Sequence, residues 1–203
     1  TNDQVTIQSY FDNTQAYQLD SIQFADGTVW DAGQIMNMAT HIVGNEFDNY
    51  LTGNSFANII EGLAGYDGLY AGDGDDVLIG GIGNDYLQGD NGNDTYVFNL
   101  GDGQDVINNF DYNEYYLGQQ SFDRLVFGQG ITANDIEFRI ESNNSSNLIV
   151  AIKGTNDQVT IQSYFDNTQV YQLDSIQFAD GTVWDAGQIM NMATHIVGNE
   201  FDN

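Results

Sequence analysis

The sequence has no cysteine and no proline, and only 3 lysines and arginines stand against 30 aspartates and glutamates. Without cysteine there is no disulfide framework and no thiolate metal site. The formal charge of −27 repels the phosphates of nucleic acid and of anionic membranes, so neither is expected as a partner unless a cation bridges the two. No apolar run approaches the roughly 20 residues of a membrane span, so direct membrane insertion is not expected. With proline absent and 23 glycines present, glycine has to make the turns. No signal peptide opens the sequence, and Thr1 falls inside a repeat, which reads as a piece of something larger.

What is present argues against disorder. Hydrophobic residues make up 41% of the chain and aromatics 13%, enough to build a core despite the charge. The remaining explanation for so many carboxylates is that they await a cation. Two repeats are nested in the sequence. Residues 1–49 recur as 155–203, a period of 154, with Ala16 against Val170 the single difference. The near-identity suggests a tandem array, although an engineered duplication would look the same.

The short repeat has a period of nine and runs six times without a gap from Gly44 to Val97: GNEFDNYLT, GNSFANIIE, GLAGYDGLY, AGDGDDVLI, GGIGNDYLQ, GDNGNDTYV. After Phe98 and Asn99 a seventh copy reads LGDGQDVIN. The eighth position is apolar every time: Leu51, Ile60, Leu69, Leu78, Leu87, Tyr96, Ile107. Six residues of turn and three of strand would put that position inside and its neighbours, such as Gly68, Gln88 and Thr95, outside. Two copies make one coil, so copies n and n+2 stack on the same edge. The pairs expected to stack at the sixth position are Asp67 with Asp85, Asp76 with Asp94, and Asp85 with Asp105. Two carboxylates about 4 Å apart repel by roughly 4 kcal/mol at an effective dielectric near 20. A divalent oxygen-seeking cation reverses that sign, and calcium tolerates such irregular oxygen sets better than magnesium.

This nonapeptide resembles the calcium-binding repeat of RTX proteins, and the fifth copy matches its consensus at every fixed position. GDGQDVINNF (101–110), DRLVFGQGITANDIEF (123–138) and LDSIQFADGTVW (173–184) are similar to the haemolysin-type related region of iron-regulated RTX proteins of the Frp type. The resemblance implies a mainly β fold, a parallel β-roll flanked by β-rich caps with a short helix. It also implies calcium dependence, type I secretion and an extracellular or cell-surface location. Some Frp-type proteins process themselves at an Asp-Pro bond, which a chain without proline cannot do. The expected organisation is a partial cap over 1–43, the roll over 44–108, a second cap over 109–197 and the start of the next roll over 198–203. Candidate ligands are Asp67, Asp76, Asp85, Asp94 and Asp105, with Asp73, Asp90 and the turn residues Gly65, Gly72, Gly74, Gly81, Gly83, Gly92 and Gly103. About three full calcium sites are expected, and up to five if Asn49/Asp67 and Asn58/Asp76 bind weakly. Phe47 and Phe56, standing where glycine should, are expected to pack against a cap.

In the flank, Phe138–Glu141 and Leu148–Ile152 alternate as strands about a turn at 143–146, and Asp180-Gly181 signals a hairpin. Asp185 suits a helix N-cap with Gln188 at the capping-box position, over a helix from about Ala186 to Thr194 that presents Ile189, Met190 and Met192 or Ala193 to a core. His41 and His195 read as helix C-terminal caps rather than zinc ligands, which normally come in threes. Asp111, Glu114 and Asp123 are either a solvated loop, which is favoured, or an accessory calcium site. Trp30 and Trp184 suit hairpin core better than sugar stacking. Carboxylates that recur periodically fit cation stacking and not a single hydrolytic site, and residues 53–57 lack the closing glycine of a nucleophile elbow. The reading is a non-enzymatic module whose partners are calcium and neighbouring copies of the same repeat. The alternatives are a rigid tandem repeat of a surface adhesin and a polysaccharide-binding accessory of an enzyme or toxin.

Overall fold

The computed structural model describes residues 19–168 and 170–195; the segment 198–203, expected to open a second roll, lies outside them. In chain order the elements are β1 (Ser21–Gln23), β2 (Val29–Asp31), α1 (Ala32–Thr40), β3 (His41–Asn45), β4 (Tyr50–Thr52), β5 (Ile59–Gly65), β6 (Gly68–Asp73), β7 (Val77–Gly83), β8 (Tyr86–Asn91), β9 (Thr95–Phe98) and β10 (Gln104–Asn108). There follow α2 (Tyr112–Leu117), β11 (Arg124–Phe127), β12 (Ile136–Glu141), β13 (Asn144–Ile152), β14 (Gln158–Ile161), β15 (Ser175–Gln177), β16 (Val183–Asp185) and α3 (Ala186–Thr194).

Alternate strands go to alternate sheets, which is the two-copies-per-coil arrangement. One seven-stranded sheet runs β4-β6-β8-β10-β14-β13-β12 and a second β3-β5-β7-β9-β11-β15-β16, while β1 and β2 form a two-stranded sheet of their own. Leu51, Leu69, Leu87 and Ile107 pair in register along the first, and Ile60, Leu78 and Tyr96 along the second. Apart from the half-buried Leu51, these side chains are buried. Parallel strands of this kind need both ends covered. Here the flank supplies strands rather than a lid: β14 continues the first sheet in parallel from β10, and β11 and then β15 continue the second from β9. Only the last additions turn antiparallel, at β13, β12 and β16. Phe98 meets Phe127 edge-on, Phe127 stacks on Phe178, and Trp184 closes on Phe178 and Phe138. The apolar core thus runs unbroken from the coils into the flank.

Several local expectations hold and several shift. Asp185 and Gln188 form the reciprocal capping box at the start of α3, and Ile189 and Ala193 are the buried helix positions. The β12–β13 turn is tighter than expected, at Ser142-Asn143, because β13 begins at Asn144. Strands β5 and β7 run on through the first four positions of the next copy instead of stopping after three residues. Thr95, expected outside, is buried because the Arg124 Nε donates to its hydroxyl at 2.9 Å. Phe47 packs against no cap; it is 78% exposed. Phe56 is half-buried. All three cationic side chains, Arg124, Arg139 and Lys153, lie in the flank and none in the coils.

From the third copy onward, the second position shows what the stacking demands of the backbone. Gly72 and Gly81 there have φ of 103° and 94°, and Leu63 and Asp90 are held at 80° and 66° in the equivalent place. Leu63→Gly is therefore expected to stabilise the protein by about 0.5–1 kcal/mol, strain relief of about 1–2 kcal/mol being partly offset by added unfolded-state freedom. Leu78→Ala, in the middle of a buried ladder, should cost about 2–5 kcal/mol, and Phe47→Ala less than about 0.5 kcal/mol. Urea denaturation in calcium buffer measures all three.

Candidate metal sites

The sixth residue of each copy sits at the sheet edge, and its backbone N–H reaches across to the carboxylate of the sixth residue one coil on. Asn49 donates to Asp67 Oδ1 at 2.7 Å, Asp67 to Asp85 at 2.8 Å and Asp85 to Asp105 at 3.0 Å. On the other edge Asn58 donates to Asp76 at 2.6 Å and Asp76 to Asp94 at 2.9 Å. The three expected pairs are all brought together. One carboxylate oxygen of each rung is thus satisfied. The other is not: Oδ2 of Asp67, Asp76, Asp85 and Asp105 is buried with no donor. A buried oxygen without a partner costs about 1–3 kcal/mol, and more when charged, so an added cation answers a need the protein leaves open. Where the copy opens with glycine, that glycine makes the recess; Asp76 and Asp105 have Ala71 and Leu100 in that place. A β-carbon at Gly62, Gly80 or Gly89 would collide with Oδ2 of Asp67, Asp85 or Asp94.

Burial raises every one of these carboxyls above its ordinary range, against the lowering effect of the donated N–H. Asp85 is pushed up to about 6, Asp76 to about 7, and Asp94 and Asp105 to about 8. Neighbouring acids add to the rise: Asp75, Asp73 and Asp90 around Asp76, Asp67 and Asp102 around Asp85, Asp123 and Asp76 around Asp94, Asp85 and Asp102 around Asp105.

The glycines proposed as carbonyl donors form ladders of their own. Gly65, Gly83 and Gly103 stack on one edge. Gly92 lies over Gly74 on the other, so close that a β-carbon would strike the Gly74 carbonyl. Gly74 holds φ at 133°, which keeps this approach open to glycine alone. Gly72 lies opposite Asp90, and Gly81 opposite Leu63. Asp73 and Asp90 stay off the aspartate ladder: Asn91 Nδ2 donates to Asp73 at 2.7 Å and Gln88 Nε2 to Asp90 at 2.6 Å. Among the described residues no three acidic or imidazole side chains converge on one point. The oxygens available to a cation on either edge would be carboxylates of successive coils and backbone carbonyls of the turns, hard donors of the kind that suit calcium.

The family comparisons agree with this chemistry. Residues 43–78 and 70–107 match the RTX calcium-binding nonapeptide repeat, and residues 1–34 and 147–188 match the haemolysin-type calcium binding protein related domain. Residues 43–107 are thus RTX nonapeptide repeats. These nonapeptides are calcium-binding repeats. The iron-regulated protein FrpA of Neisseria meningitidis serogroup C is 44% identical over 68 residues, 32% of this chain and 6% of that protein, so the chain spans a small part of that relative. Two solution structures of repeat subunits from the Azotobacter vinelandii mannuronan C5-epimerase are also similar, at 26% identity. AlgE6R2 covers 70% of this chain and 94% of its own at a TM-score of 0.48, and AlgE6R3 covers 68% and 82% at 0.47.

The RTX ladder extends further than the nonapeptide period shows. Asp94 donates its N–H to Asp123 Oδ1 at 2.8 Å, and Asp123 donates to Asp174 Oδ2 at 2.8 Å. Asp123 is buried and pushed up to about 7 by that burial, with Asp174 adding to the rise. This corrects its reading as part of a solvated loop. Asp111, also buried, caps α2 through the Glu114 N–H, and Ser121 Oγ lies within 3.3 Å of both Glu114 and Asp123. The signal was in the sequence: Asp94-Thr-Tyr-Val-Phe, Asp123-Arg-Leu-Val-Phe and Asp174-Ser-Ile-Gln-Phe share one pattern at irregular spacing. On the opposite edge the acids stop at Asp105, which faces Val159 in the next strand. A second ladder, at the fifth position, also escaped the sequence: Tyr66 N–H donates to Asp48, Asn93 to Asp75 and Gln104 to Asn84. The histidines make local contacts, His195 Nδ1 with the Asn191 carbonyl and His41 Nε2 with Glu61, each at 2.7 Å.

Carboxyls whose values rise on folding favour the folded state when protonated. Their contribution is complete below about 4 and is lost as pH climbs through the 6–8 range of the ladder. In chelator, the urea midpoint should therefore fall between pH 5 and pH 8. Calcium affinity should rise over the same interval, since the ion competes with protons for the ligands; calorimetry at the two pH values checks the second half.

Proposed function

We propose that this RTX segment is a non-enzymatic, calcium-driven folding module of a secreted protein. The observation that carries it is the row of buried, unpartnered Oδ2 atoms on stacked aspartates. Without a divalent ion their charges are confined together and resist closure of the coils. With one, the same charges hold successive coils in register, so metal affinity becomes folding energy. The pairs Asp67/Asp85, Asp76/Asp94 and Asp85/Asp105 form three full calcium sites. Asn49 and Asn58 replace acids at the other end and leave two weaker ones. Extracellular calcium modules work at about 10⁻⁴–10⁻³ M, which suits a chain exported loose by a type I route and folded outside the cell. Among the described residues no helix is long and apolar enough to cross a membrane. The 154-residue repeat supports a second reading, in which calcium stiffens a tandem array at the cell surface.

Calcium titrated into the chelated protein should raise the β signal in circular dichroism cooperatively. An unchanged spectrum would remove the proposal. Asp85→Asn is the sharper test because Asp85 serves two pairs. It should raise the calcium midpoint roughly tenfold by removing a charged ligand, yet make the metal-free protein more resistant to urea by removing a buried charge. Loss of stability in both conditions would mean that Asp85 is a structural residue only.

A further inference from the structure

Residues 19–40 and 173–194 have the same sequence. They build the same hairpin and helix with the same register and the same capping box. Their surroundings differ. Leu173, Ile176 and Ala193 are fully buried and Phe178 is 4% exposed; Leu19 and Phe24 are 39% and 38% exposed, and Ile22 and Ala39 only half-buried. Val29 and Val183, on the outer face, are equally exposed at 49% and 50%. The difference is thus largest on the apolar face, and it reaches the strand edge, where Ser21 is exposed and Ser175 buried; what covers that face in the second copy is known. β11 pairs with β15, Leu125 lies opposite Ile176, Phe127 stacks on Phe178, and Phe138 packs on Trp184. In the first copy β1 pairs with β2 alone among the described residues.

We infer that the free edge of β1 and the apolar face of α1 are the docking surface for the flank of a preceding 154-residue unit, the equivalent of residues 110–152. The register follows from the second copy: Arg124 opposite Ser21, Leu125 opposite Ile22, Val126 opposite Gln23, with the Asp123 N–H donated to Asp20. A sheet edge with an exposed apolar face is completed by strand addition, and this strand is one the identical sequence already binds. The surface is also rigidly tied to the roll behind it. Helix α1 passes into β3 without an intervening residue, Asn54 Nδ2 donates to the Ala39 carbonyl at 3.2 Å, and His41 is fixed on Glu61. The sheet of the preceding unit would then end on β1 and β2, and α1 would carry the junction directly into β3 instead of leaving the units strung on a tether. The inference rests on the long repeat and not on the calcium reading.

Trp30 and Trp184 are the two tryptophans, so Trp184→Phe leaves Trp30 as the reporter of this face. The test chain places residues 42–154 directly before Thr1, reproducing the join that Gly154 and Thr155 already make. In calcium, acrylamide quenching of Trp30 in the extended chain should fall to the value of Trp184 in a Trp30→Phe version of the 203-residue chain. In the unextended chain it should stay high at every protein concentration. Ile22→Asp should leave the 203-residue chain as stable as before and restore quenching in the extended one. Trp30 equally quenched in both chains overturns the docking, as does protection that grows with the concentration of the unextended chain, which would assign the face to a second molecule. The calcium-dependent dichroism of the same samples judges the calcium reading separately.

Discussion

One hydrogen bond, repeated once per coil on each edge, organises the molecule: a sixth-position backbone N–H given to the carboxylate one coil further on. It fixes the stacking of the coils more tightly than the apolar ladder can, since an apolar contact has no direction. It also orients the carboxylates so that one oxygen is used up and the other is left free, at Asp67 and Asp85 in a recess cut by the first-position glycine. The same bond that builds the coil therefore creates the demand for a cation. Neutral asparagines at Asn49 and Asn58 keep the donated N–H of the rung while withholding the charge, which is why the fold can begin at that end without an ion between acids.

The periodic part of the fold was legible because a strict spacing carries its own register. Apolar residues at the eighth position of every copy and acids at the sixth from the third copy onward can only stack one way once two copies make a coil. The flank was less legible for the opposite reason. Asp123 and Asp174 belong to the same ladder as Asp94, but successive rungs lie 29 and 51 positions apart, and a search for a fixed period passes over them. Thr95 and Phe47 were misjudged because their exposure depends on neighbours outside the repeat: an arginine from the flank covers one, and no described element reaches the other. The strands outran their expected three residues because glycine, poor in strands by itself, continues one easily when the coil above dictates its backbone.

The flank emerges as part of the solenoid and not as a separate lid. It lends parallel strands to both sheets and closes them with antiparallel ones, so a short antiparallel margin replaces the open parallel edge that would otherwise invite unwanted pairing. The aromatic chain Phe98, Phe127, Phe178 and Trp184 carries the thin core of the coils into this thicker end, and the α3 helix seals it with Ile189 and Ala193. Stability is consequently unequal along the molecule. The flank has a dense apolar interior of its own, whereas the coils depend on what neutralises their edges.

The placement of the three basic residues has an electrical consequence. Arg124, Arg139 and Lys153 all belong to the flank, and the coils carry acids alone. In the metal-free chain the coils are therefore the more strongly negative part and the flank the relieved one. Divalent ions taken up along the edges would cancel much of that charge, so the electrical contrast between the two parts falls as the ions load, and screening by salt acts chiefly on the metal-free coils.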